Sequence, residues 1–144
     1  MAEKLINLNG DREIFNNLTL MKEKLKIRVI DEVKAATLNL ETSAKRDCPV
    51  DFGTLRQSIY KDEFLNGSNY VGVVGSDLKY APYVEFGTGG FVSVPVGYED
   101  FAMQFKGSKT VIGMNAQPYL IPNFEVERER VKQAIKNLMQ NVKS

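Results

Sequence analysis

Residues Asp11–Pro49, DREIFNNLTLMKEKLKIRVIDEVKAATLNLETSAKRDCP, set the architecture. Ile14, Leu18, Met21, Leu25, Val29, Val33, Ala36, Leu40 and Ala44 recur at steps of three or four, which is one face of an amphipathic helix. At about 1.5 Å per residue that row spans roughly 40–50 Å. Asp11 stands where a helix cap is expected, and Asn16-Asn17 marks a candidate break because asparagine competes for backbone hydrogen bonds. Lys45 and Arg46 occupy the last turn, where cations favour the helix dipole, and Pro49 stops the helix by pushing its predecessor out of the α region. Upstream, Leu5, Ile6 and Leu8 form a short alternating stretch that ends at the turn signal Asn9-Gly10.

Working outward, the middle of the chain reads as β-rich. Residues 55–65 and 69–75 flank Asn66-Gly67-Ser68 and predict a hairpin. Residues 78–86 mix aromatics with Pro82 and predict a short helical turn instead of a strand. Residues 87–109 hold Gly87, Gly89, Gly90, Gly97, Gly107 and Pro95 and read as a long, mostly exposed loop, a length usually reserved for function or disorder. Thr110, Val111 and Ile112 suggest a further strand within 110–114. Pro118 and Pro122 bracket Tyr119, Leu120 and Ile121, after which a second helix starts with Asn123 as its expected cap. Glu125, Glu127 and Glu129 favour its positive end, and Phe124, Val131, Ile135, Leu138 and Val142 form its apolar stripe. No repeat and no linker divides residues 1–144, so a single domain is expected: an α+β fold with a long N-terminal and a C-terminal helix packed on a small antiparallel β-sheet, plus a glycine-rich loop.

Composition narrows the function classes. A chain of 144 residues with 43% hydrophobic and 26% charged residues is built like an average globular domain. There is no apolar run long enough for a membrane span and no secretory-signal pattern near the first residue. Net charge is +1, from 19 basic and 18 acidic residues interleaved along the chain. No block has the basic excess that strong counterion-release binding to nucleic acid requires, so at most weak, non-specific DNA contact is expected. The lone Cys48 has no disulfide partner within the chain, which fits a reducing compartment.

Chemistry is sparse. With no histidine, the commonest general base and the commonest metal ligand are both missing, and one cysteine cannot anchor a structural zinc site. Asp62-Glu63 and Glu99-Asp100 are adjacent pairs, which on a strand point to opposite faces. Gly107-Ser108-Lys109-Thr110 is faintly like a phosphate loop, but residue 102 is alanine and serine precedes the lysine, so the phosphate-binding pattern fails. No catalytic residue, metal site or cofactor is therefore expected. One dense constellation remains: Tyr80, Tyr83, Glu85 and Phe86, just before the glycine-rich loop. It is either a core-covering turn with Glu85 as a surface charge or a contact surface, since Tyr and Phe are strong interface anchors.

Three stretches resemble one phage family. Cys48-Pro49-Val50-Asp51-Phe52-Gly53-Thr54-Leu55-Arg56-Gln57-Ser58-Ile59 resembles a P-V-D-T-G-x-L-R-x-S-I signature. Tyr80-Ala81-Pro82-Tyr83-Val84-Glu85-Phe86-Gly87-Thr88 is similar to Y-A-x-Y-V-E-F-G-T, and Ala116-Gln117-Pro118-Tyr119-Leu120-Ile121-Pro122 to x-Q-P-F-L-x-P-A. All three occur in order between the helices, as in the head–tail joining or tail-completion (neck) proteins of long-tailed bacteriophages and prophages. The departures are Phe52 in place of threonine, Asn123 in place of alanine, and a longer segment from Gly89 to Asn115.

The resemblance implies a non-enzymatic assembly protein, formed in the host cytoplasm and carried in the virion. It also implies self-association in a cyclic ring, with sixfold symmetry expected, beside head-connector or tail-terminator proteins. The expected interface comprises Arg56, Tyr80, Tyr83, Glu85, Phe86, Phe91, Tyr98, Phe101 and Phe105, with Arg56 and Glu85 as a candidate ion pair. Val92, Val94 and Val96 add apolar surface to the same loop, which is expected to be mobile until it meets a neighbour. Gly53 and Gly87 are expected to take positive φ at structural turns. Two other classes make distinct predictions. A small hydrolase using Asp51 or Glu85 needs a deep pocket with perturbed carboxylates, and a DNA-binding module needs a basic face.

Overall fold

The computed structural model describes residues 10–104 and 113–142. Helix α1 (Gly10–Asp47) runs unbroken for 38 residues, about 57 Å, so Asn16-Asn17 does not interrupt it and Asp11 lies inside it. After a 3₁₀ turn at Val50–Phe52 come α2 (Gly53–Ser58), the strands β1 (Tyr60–Asn66) and β2 (Asn69–Gly75), and α3 (Ala81–Phe86). A second 3₁₀ turn at Gly89–Phe91, α4 (Glu99–Met103) and α5 (Ile121–Asn141) complete the order. The α+β class is as expected: two long helices and a two-stranded antiparallel sheet. The alternating stretch Leu5, Ile6 and Leu8, the strand expected at Thr110, Val111 and Ile112, and Phe105 lie outside the described residues.

The hairpin turns as its sequence dictates. Asn66 pairs with Asn69, leaving Gly67-Ser68 as a two-residue connection. Gly67 takes φ 62°, the left-handed value that a first-position glycine supplies in a type II′ turn. The strand expected from residue 55, however, starts only at Tyr60. Residues 53–58 coil into α2 instead, which turns Leu55 into the core, while Ile59 follows it inward at the entry to β1. Gly53 accordingly has φ −54° and ψ −38°, ordinary right-handed helix, and not the positive φ expected of it.

The sheet is held against α1 by close approach. A Cβ on Gly72 would run into Thr37 Oγ1, so only glycine lets β2 lie this near the helix. Tyr70 donates to Glu63 Oε2 across the hairpin at 2.8 Å, and Lys34 of α1 lies 5.8 Å from the centre of the Tyr70 ring. Helix α5 runs back along α1. Asn123 meets Asp47 near the end of α1, and Arg130 meets Glu32 farther towards its start. The apolar stripe of α5 is half-buried, except that Phe124 and Val142 are exposed.

The core collects Ala44, Cys48, Leu55, Ile59, Ala81, Val84 and Tyr119, with Val74, Leu78, Met114 and Leu120 packed around them. Each large side chain fully buried here, such as Leu55 or Val84, contributes about 1.5–3 kcal/mol relative to exposure. The segment expected as a plain exposed loop is more structured than that. It contains α4, buries Ala102 completely, and is stitched to α3 where Ser93 N–H donates to the Phe86 carbonyl at 2.8 Å.

Candidate functional site

The densest part of the molecule is where the three motif stretches meet. In the second stretch, Pro82 sits in the first turn of α3, where its missing N–H costs nothing. Gly87 ends the helix at φ 77°, as expected, and its N–H donates to the Tyr83 carbonyl at 2.9 Å. No side chain fits there. An added Cβ would lie 2.6 Å from the Phe91 carbonyl oxygen and 2.7 Å from the Ala116 nitrogen.

From this turn the chain reaches across to the third stretch. Thr88 and Met114 bond reciprocally: Thr88 N–H donates to the Met114 carbonyl at 2.9 Å, and Met114 N–H donates to Thr88 Oγ1 at 2.7 Å. Gln117 N–H donates to the Val84 carbonyl at 2.8 Å. Glu85 completes the clasp. Its Oε2 accepts the N–H groups of Tyr119 (2.8 Å) and Leu120 (2.9 Å), and its Oε1 accepts that of Ile121 (2.9 Å). These are N–H groups at the start of α5, which have no partner within the helix, and the carboxylate also meets the positive end of the helix dipole. The expected local cap, Asn123, does something else, donating to Asp47 Oδ2 and to the Tyr119 carbonyl.

The first stretch closes the knot. Arg56 Nη2 donates to the Cys48 carbonyl at 2.8 Å, while the Arg56 Nε is buried without a hydrogen-bond partner. Burial raises the Cys48 thiol pKa; the nearby Arg56 charge opposes this and Glu85 adds to it. Burial, helped by the charge of Glu85, likewise pushes the Tyr119 hydroxyl well above the ordinary phenol range. All three stretches therefore supply the same core.

This arrangement redistributes the residues expected at an interface. Glu85 is only 6% exposed and Phe86 is fully buried, so neither is a surface group in the folded chain. Arg56 and Glu85 form no ion pair; each bonds to backbone instead. Tyr98 is half-buried, its hydroxyl donating to Glu125 at 2.9 Å. Phe101 packs edge-on against Phe86 with ring centres 5.8 Å apart while keeping half its surface in solvent. Tyr80, Tyr83, Phe91, Val94 and Val96 are exposed, and Val92 is half-buried. An open apolar groove of about 700 Å³ runs between β2, α3, α4 and the start of α5, with Leu78, Pro82, Phe101 and Phe124 among its walls.

The sequence reading missed one surface. Ile14, Leu18 and Met21, which belong to the apolar face expected of α1, are exposed. The only available signal was length, because a helix this long outruns the rest of a small domain.

Among the described residues, no group of three or more acidic or cysteine side chains is arranged to hold a metal ion, and no helix is long and apolar enough to cross a membrane. No curated protein and no solved structure matches the chain. The family model described as "Bacteriophage HK97-gp10, putative tail-component" matches residues 12–87, from the start of α1 through the first motif stretch to Gly87 at the end of α3. That is more than half of the chain, and the chain belongs to this HK97-gp10-like family of phage tail components.

Proposed function

We propose that the chain is a structural protein that completes the head–tail connection of a tailed phage or prophage. It would assemble in the host cytoplasm as part of a cyclic ring, for which sixfold symmetry is the expectation, next to head-connector or tail-terminator proteins. The observation that carries this reading is the family match across α1 and the first two motif stretches. The packing is consistent with it. Of the two carboxylates that a catalytic reading would recruit, Asp51 and Glu85, the second is spent on the fold, since both of its oxygens are held by backbone N–H groups. What the fold presents outward is aromatic and aliphatic: Tyr80, Tyr83, Phe91, Val96 and Phe101. Such side chains anchor protein interfaces at low entropic cost.

The test is electron microscopy of particles produced without this protein. Full heads and finished tails lying apart is the expected outcome. Normally joined particles would overturn the proposal.

A further inference from the structure

The apolar stripe of α1 continues past the body it helps to build. Leu25, Val29 and Val33 are half-buried and Leu40 and Ala44 are buried, but from residue 12 to residue 24 every side chain is exposed. This is about 20 Å of helix, carrying Ile14 (59% exposed), Phe15 (70%), Leu18 (59%) and Met21 (45%). An apolar row of this kind on a projecting helix is a docking element.

The chain also carries a receiving surface of matching chemistry. Exposed carboxylates stand next in sequence to the walls of the apolar groove beside α3 and α4: Asp77 lies between the wall residues Ser76 and Leu78, and Glu99 and Asp100 lie between Tyr98 and Phe101, while the wall carboxylate Glu85 is held by backbone. Among the described residues, Lys79 is the basic residue in the groove's walls. Over residues 12–28 the exposed charges of α1 have the opposite balance, with Arg12, Lys22, Lys24, Lys26 and Arg28 against Glu13 and Glu23. Opposite charges around two apolar surfaces favour one orientation of docking and suppress others. A chain cannot fill its own groove this way, because Leu40 lines the groove and Leu18 lies about 33 Å before it on the same unbroken helix.

We infer that the α1 segment around Leu18 and Met21 seats in the groove beside Phe101 of a second copy of the chain. Two different surfaces meet, so the contact is heterologous, and its repetition by a rotation that divides a full turn closes a ring. The inference rests on the ring reading proposed above and names the contact that would build it.

The experiment mixes two purified variants, Leu18→Cys and Phe101→Cys, under mild oxidation and identifies the disulfide-linked peptides by mass spectrometry. Cys48 is buried and stays out of the reaction. A 18–101 link between chains, formed several-fold faster in the mixture than any link in either variant alone, is the expected result. A dominant 18–18 link would show that helices pair with each other, and the absence of any 18–101 link would equally overturn the contact. A second variant, Leu18→Glu/Met21→Glu, alters exposed positions only and should keep the parent's thermal midpoint while losing assembly by sedimentation. If particles need the protein but this variant still assembles and joins heads to tails, the ring reading stands and the α1-in-groove contact falls. If particles join normally without the protein, the ring reading itself falls.

Discussion

Glu85 shows how one side chain can hold three parts of a sequence together. Its carboxylate caps α5 from α3, so its loss would leave the N–H groups of Tyr119, Leu120 and Ile121 without their partner. Replacing it with alanine should destabilise the fold by about 3 kcal/mol, as leaving buried donors unmet commonly costs 1–3 kcal/mol each before water compensates. Chemical denaturation measures this, and a loss below about 1 kcal/mol would show that the cap is dispensable. The charge-swapped double variant Arg56→Glu/Glu85→Arg should be no more stable than the single variants, because each residue bonds to backbone and not to the other. Two glycines give opposite expectations. Gly53 is right-handed with open space at its Cβ position, so Gly53→Ala should stabilise by about 0.4–1 kcal/mol through the unfolded state. Gly87 is left-handed and crowded by backbone atoms, so Gly87→Ala should destabilise by at least about 1–3 kcal/mol. Equal thermal midpoints for the two variants would contradict this contrast.

Between elements, the seam of α1 and α5 carries a pH dependence that can be assigned. Asp47 at the end of α1 is held down to about 2 from its ordinary 3.8, first by its hydrogen bond from Arg46 and next by that from Asn123 of α5. A carboxylate depressed in the folded state contributes stability that is present above 3.8 and is lost as pH falls from there towards 2. Asp47→Asn should therefore flatten the acid side of the stability profile in that window and leave the profile near neutrality parallel to the parent's. An unchanged acid limb, read from thermal midpoints between pH 2 and 5 (about the range where a carboxylate of this kind titrates), would remove Asp47 from the account. The same seam explains why α5 has no fully buried residue: it lies on α1 with one face only, and its charged residues Glu127 and Arg130 reach over the edge to each other and to Glu32.

At the scale of the whole molecule, stability is graded along α1. Its second half is locked to the sheet, to α2 and to α5, and the stretch from residue 12 to residue 24 meets solvent on every side. Hydrogen exchange of the isolated chain should accordingly be fast from residue 12 to residue 24 and slow around Ala44, Leu55 and Val84, with protection appearing on the first segment upon assembly. Uniform protection along α1 in the monomer would contradict that gradient. Read alone, the chain determined its two long helices, its hairpin and its α+β class, because a period near 3.6, an Asn-Gly-Ser turn and a proline stop are local properties that neighbours in sequence enforce. It also pointed to the family through its motif stretches, and the match over residues 12–87 takes in the first stretch and the second as far as Gly87. What those stretches do was decided only in three dimensions. Glu85 is charged and follows exposed-looking aromatics, yet it is buried, because the helix start it caps lies 34 to 36 residues away. Residues 55–58 read as the start of a strand, yet they lie in α2, whose turn packs Leu55 with Ala44 and Cys48. The row from Ile14 to Ala44 is one stripe in sequence but two surfaces in the structure. Periodicity reports which side of a helix is apolar, and only the finite size of the body decides how far that side is covered.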